Sequence, residues 1–90
     1  MRRLAWSPRA IADLRAIRDY VAMFNPRAAA ELAKRLEDAT LPLLDHPAMG
    51  RMGRHGVREL ATIHPYLIRY RVTDEVIDIV TIRHGARRPL

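Results

Sequence analysis

Glu59, Arg69, Arg83 and His84 are the residues of this sequence whose types could together carry out a reaction. A carboxylate can take a proton, an imidazole can return one, and guanidiniums can hold phosphoryl oxygens while charge builds on them. Such a set suits cleavage of an RNA chain. There a 2′-hydroxyl must be activated, a phosphorane stabilised and a leaving oxygen protonated. The same residues also have a plainer reading. A strand Glu among many Arg side chains is a salt-bridge partner worth about 0–1 kcal/mol if exposed. His84 would then cap the end of a sheet. His46, His55, His64 and His84 do not fall at ligand spacing, and no carboxylate completes a set with them. No metal and no cofactor is expected.

A larger group is fit for binding. Arg51, Arg54, Arg58, Arg69, Arg71, Arg83, Arg87 and Arg88 all lie in the second half of the chain. Arg69 and Arg71 are two apart and share a face if that stretch is a strand. Lys plus Arg total 16 against 10 acidic residues, a formal charge of +6. Lys34 is the only lysine. Arginine is the side chain suited to two-pronged binding of carboxylates and phosphates. Nucleic acid and acidic protein are therefore the two partner classes. The alternative is a solvated sheet face whose charge serves solubility.

The elements that must position these residues can be read from periodicity. Residues 2–6 form a short mixed run, read as an edge strand. Ser7-Pro8 is a cap followed by a first-turn proline, the start signal of a helix. Ile11, Leu14, Ile17 and Val21 then recur at helical steps, with Arg9, Asp13, Arg15, Arg18 and Asp19 on the other face. Asn25-Pro26 repeats the start signal. Ala29, Leu32, Ala33, Leu36, Thr40 and Leu43 give the second helix a stripe with small residues, so the two helices should pack as an antiparallel hairpin. Pro42 weakens its last turn and His46-Pro47 ends it.

Residues 47–56, with Gly50, Gly53 and Gly56, read as an exposed basic loop. The period then changes to two. Residues 57–63 are a candidate strand. In residues 66–72, Tyr66, Ile68, Tyr70 and Val72 alternate with Leu67, Arg69 and Arg71. Tyr66 and Tyr70 read as core, as does Trp6. Thr73-Asp74-Glu75 is a turn. Residues 76–84 place Ile77 and Ile79 on one face and Val80 and Ile82 on the other, the pattern of a central strand. The order β-α-α-β-β-β gives an α+β domain: an N-terminal strand and a helical hairpin packed on a twisted antiparallel sheet of three C-terminal strands.

At 90 residues the chain is expected to form one domain, residues 1–90. It has no cysteine, and no apolar run approaches the roughly 20 residues that span a bilayer. A soluble, cytoplasmic protein with no membrane partner is expected.

Several stretches resemble ParE/RelE-type toxins of type II toxin–antitoxin pairs. Pro8-Arg9-Ala10-Ile11-Ala12-Asp13-Leu14 and Ile17-Arg18-Asp19-Tyr20-Val21 resemble the family's first helix. Ala30-Glu31 and Leu36 resemble the second. His46-Pro47-Ala48-Met49-Gly50-Arg51 and Val57-Arg58-Glu59-Leu60 resemble the passage into the sheet. Pro65-Tyr66-Leu67-Ile68-Arg69-Tyr70-Arg71-Val72 and Ile82-Arg83-His84-Gly85-Ala86-Arg87 resemble two strand signatures. The resemblance runs in order over nearly the whole chain. It implies a toxin held in check by a cognate antitoxin, ParD-like or similar, through an acidic segment. It implies that operator DNA is bound only through the antitoxin complex. RelE-like members cut messenger RNA on the ribosome, with a Lys/Arg cluster and a C-terminal Tyr, or with Glu, Arg, His and Tyr. ParE-like members poison DNA gyrase. Here Lys34 falls mid-helix and no Tyr follows His84. The wording around Arg58-Glu59-Leu60 and His84-Gly85-Ala86-Arg87 is closer to the ParE branch, which makes DNA gyrase the expected target.

Overall fold

The computed structural model describes residues 1–85. Strand β1 (Arg3–Trp6) leads into helices α1 (Pro8–Ala22) and α2 (Pro26–Thr40). Strands β2 (Arg51–Met52), β3 (Arg58–Leu60), β4 (Tyr66–Val72) and β5 (Val76–His84) follow. The expected α+β layering is present, with two refinements. The sheet is mixed and five-stranded in the order β1-β5-β4-β3-β2, with β1 parallel to β5 and the other pairs antiparallel. The expected basic loop contains the two-residue strand β2, which pairs with β3.

Both helix starts use the devices written in the sequence. Ser7 Oγ accepts from the Ala10 amide at 3.0 Å, and Asn25 Oδ1 accepts from the Ala28 amide at 3.1 Å. Ser7 Oγ also donates to the Val80 carbonyl at 2.8 Å, tying the head of α1 to β5. Ala10, Ala29 and Ala33 are buried, as close helix packing requires. Helix α2 ends earlier than expected, at Thr40. Pro42 has no amide hydrogen to continue the α-helical ladder, and residues 41–44 tighten into a 3-10 turn that still buries Leu43.

The stripe read on α1 is partly corrected. Ile11 is exposed, while Ala10 is the residue of this helix that is fully buried. Asp13, read as solvent-facing, turns inward: its Oδ2 accepts from the Ile82 amide at 3.0 Å. Strand β1 has ended by that point of β5, so the carboxylate satisfies an edge amide that no strand reaches.

Strand β5 departs from simple alternation. Arg69 pairs with Thr81 but Tyr70 pairs with Ile79, so Val80 is one residue too many and forms a bulge. Ile82 consequently shares the buried face with Ile77 and Ile79 instead of lying opposite them. The core under the helices is Leu36, Leu43, Leu60, Ile68, Tyr70, Ile77, Ile79 and Ile82, with Trp6 and Tyr66 packed against it. The helices cover one face of the sheet, and the other face is left open. No helix among the described residues is long and apolar enough to cross a membrane.

Candidate functional site

Register decides which side chains reach the open face. Glu59 pairs with Arg51 on one side and Arg69 on the other, so the three lie in a row across β2, β3 and β4. Arg69 Nε donates to Glu59 Oε2 at 3.0 Å, and an Arg51 guanidinium nitrogen donates to Oε1 at 3.3 Å. The Glu59 side chain is only 15% exposed. The Arg69 hydrogen bond holds its carboxyl below the usual carboxylate range. Burial works in the opposite direction, and the bond from Arg51 adds to the lowering.

Beside this row is an open hollow of about 600 Å³. Arg54, His55, Arg69, Arg71, Val80 and Thr81 line it along with Glu59. The tip of the β2–β3 hairpin forms one wall. There the Val57 amide donates to the Arg54 carbonyl at 3.1 Å, and the two central residues, His55 (φ 59°) and Gly56 (φ 72°), both have positive φ. That mirror-image turn matches the twist of the strands, and it carries Arg54 and His55 up beside the sheet. Thr81 Oγ1 is buried and has no hydrogen-bond partner among the described residues.

Arg58 points to the helix side of β3, where its guanidinium donates to the Gly50 carbonyl at 2.9 Å and braces the loop before β2. Arg83 pairs with Leu67 on the open face. His84 pairs with Tyr66, and their rings meet edge to face at 5.4 Å on the helix side. Glu59 and His84 are therefore on opposite faces of the sheet. Lys34 is on an exposed turn of α2, ion-paired to Asp38 at 2.8 Å. Arg87 and Arg88 lie outside the described residues.

A second depression runs along the seam of the helical hairpin, about 320 Å³ in volume. Trp6, Ile11, Leu14 and Ala33 form its apolar lining, and Arg15, Arg18 and Glu37 its charged rim. The sequence marks Trp6 as core and Ile11 and Leu14 as part of the apolar stripe of α1. The helical period does not reveal that part of an apolar stripe stays uncovered.

The geometry can be set against known proteins. Residues 4–89 match the model of the family described as the ParE toxin of the type II toxin–antitoxin system parDE. Toxin RelE2 of Caulobacter vibrioides is 47% identical over 87 residues, spanning 97% of this chain and 99% of that protein. A solved chain of a chromosomal ParDE system from P. aeruginosa superposes with a TM-score of 0.83 at 31% identity, covering 93% of this chain and 96% of that one. YafQ from E. coli shares the fold alone, with a TM-score of 0.54 at 19% identity over 96% of each chain. With the family matched from β1 onward over nearly its whole length, this chain belongs to the ParE toxins of type II toxin–antitoxin systems, within the ParE/RelE superfamily.

Proposed function

We propose that this toxin acts by binding DNA gyrase and performs no hydrolysis of its own. The observation that carries the reading is the state of Glu59. A general base at neutral pH works best with a pKa near 7. Glu59 is instead held below its ordinary range between two guanidiniums, so it has little affinity for a proton. Its partner in an acid–base scheme, His84, is on the other face of the sheet. A protein that captures one conformation of an enzyme shifts the population toward it, and can poison the enzyme without catalysing anything.

We assign the hairpin seam to the cognate antitoxin. An amphipathic acidic segment would lay its apolar side on Trp6, Ile11 and Leu14 and its carboxylates toward Arg15 and Arg18. Binding of operator DNA would then belong to the complex, through the antitoxin.

The test is a supercoiling assay with purified gyrase and toxin, read together with cleavage-complex levels, beside induction in cells carrying labelled precursors. Loss of supercoiling and early arrest of DNA synthesis are expected, with Glu59→Gln and His84→Ala still toxic. Unchanged gyrase activity, with protein synthesis stopping first and transcripts cut, would replace this reading with a ribosome-dependent RNase. Normal growth on induction would reduce the chain to a non-toxic binding module.

A further inference from the structure

The open face of the sheet is unequal in charge and nearly bare of apolar anchors. Register places Arg3, Arg51, Arg69, Arg71 and Arg83 on it, and the hairpin adds Arg54. Against these six stand two carboxylates, Glu59 and Asp78. Glu59 is committed to Arg51 and Arg69. Arg3, Arg54, Arg71 and Arg83 make no ion pair among the described residues, and Asp78, though in register with Arg71, makes none either. Four guanidiniums on one face are thus without an ion-pair partner among the described residues.

What the face lacks narrows the partner. Protein interfaces draw their affinity from buried aromatic and apolar anchors. Among the described residues, the large exposed apolar side chains such as Ile11, Tyr20, Met23, Phe24 and Met52 fall on the helices, the connections or the helix side of the sheet, with Met1 ahead of β1 the exception. Single-stranded nucleic acid is held by aromatic platforms on which bases stack. Trp6, Tyr66 and Tyr70 pack on the helix side, and Tyr20 and Phe24 stack at the hairpin end of the helices. A surface that is strongly cationic and polar, with the His55 imidazole beside its hollow but no Phe, Tyr or Trp ring on it among the described residues, suits the sugar–phosphate backbone of a duplex.

We infer that the open face binds duplex DNA through its phosphates, without reading sequence. Arg54 and Arg71, which both line the hollow, and Arg3 and Arg83, near opposite ends of β5, are the contacting groups. Arg51 and Arg69 are fixed by Glu59 and supply field. Applied to the target, the toxin would grip gyrase together with the DNA that gyrase holds. That extension rests on the proposed gyrase reading, whereas the DNA binding does not. The seam assigned to the antitoxin is on the other side of the sheet, so sequence-specific operator binding through the antitoxin is a separate matter.

The experiment is fluorescence anisotropy of the purified chain with a 20-base-pair duplex of mixed sequence, titrated at several salt concentrations. Four phosphate contacts predict a log–log salt slope of about −3.6. Two unrelated sequences should bind alike, and the single strand should bind no more tightly. Arg71→Ala should flatten the slope by about 1, and Arg54→Ala/Arg71→Ala/Arg83→Ala should abolish measurable binding while leaving the circular dichroism unchanged. Arg35→Ala, on the exposed side of α2, should bind as the parent does. An absent salt slope, a triple variant that binds normally, or tighter binding to the single strand would each overturn the inference. Supercoiling assays on the same preparations separate the two ideas. A toxin that binds duplex but spares gyrase removes the gyrase reading alone, and one that blocks gyrase without binding duplex removes this one alone.

Discussion

The phenolic oxygen of Tyr70 stands 2.7 Å from the amide nitrogen of Gly50, accepting its hydrogen. It also donates to the Pro47 carbonyl at 2.8 Å. Tyr70 is fully buried in the middle of β4, and Gly50 closes the loop that enters β2. One hydroxyl thus fastens the loop and the basic edge of the sheet to the core. A side chain at residue 50 has no room, since a Cβ there would lie 2.6 Å from the Tyr70 ring and 2.9 Å from the Glu59 carbonyl oxygen. Gly50→Ala should therefore destabilise by about 1–3 kcal/mol through overpacking. Tyr70→Phe should cost about 1–3 kcal/mol by leaving a buried amide and a partly buried carbonyl unpaired. Urea unfolding of both variants tests this. Parent-like midpoints would mean that the loop is held by something else.

Asp13 and Ile82 are linked across 69 positions by a single hydrogen bond from amide to carboxylate. Removing the acceptor strands a half-buried amide, so Asp13→Ala should lose about 1–3 kcal/mol. Asp13→Asn keeps an acceptor oxygen and should lose less. Hydrogen exchange gives the sharper readout: the Ile82 amide should exchange faster in Asp13→Ala, while the Tyr70 amide should change little beyond the global loss. Equal protection of Ile82 in parent and variant would contradict the assignment.

Glu59 makes stability depend on pH in a defined direction. Its folded-state pKa lies below that of the unfolded chain, chiefly because Arg69 hydrogen-bonds the ionised form. Its contribution is therefore present in full above about pH 4.3 and is lost as pH falls through the folded-state value. Glu59→Gln should cost about 1 kcal/mol at pH 7, because Arg69 is partly exposed and Arg51 largely so, and solvent screens both pairs. The gap between parent and variant should close as the solution is acidified below pH 4. A gap that persists at acid pH would point to packing instead of charge.

The antitoxin assignment can be checked on the toxin's side. Ile11 is 39% exposed, so Ile11→Asp gives up a partly buried side chain and should lower the melting temperature by a few degrees while circular dichroism shows the fold kept. If the seam is the docking site, affinity for the antitoxin should fall tenfold or more, which is about 1.4 kcal/mol. Arg18→Glu should weaken binding as well, mainly through the association rate. Calorimetric titration showing parent-like affinity for both variants would move the antitoxin elsewhere.

Local chemistry wrote much of this protein into its sequence. Ser7-Pro8 and Asn25-Pro26 announce the helix starts because a cap oxygen and a preset φ act within three residues. The alternation through Tyr66, Ile68 and Tyr70 gives β4 and its buried face because the strand period is two. The family resemblance is legible for the same reason, being a series of such local patterns in order.

Tertiary structure alone decided the site. The bulge at Val80 turns Ile82 inward, and His84 follows it to the helix side, because one inserted residue reverses every face beyond it. Register between strands far apart in the chain places Glu59 between Arg51 and Arg69, and it brings Arg58 to a loop carbonyl instead of the open face. Asp13 looked like a surface charge by helical period, yet it serves an amide 69 residues away. None of these placements follows from spacing along the chain, because each is fixed by which strand lies alongside which, and in what register.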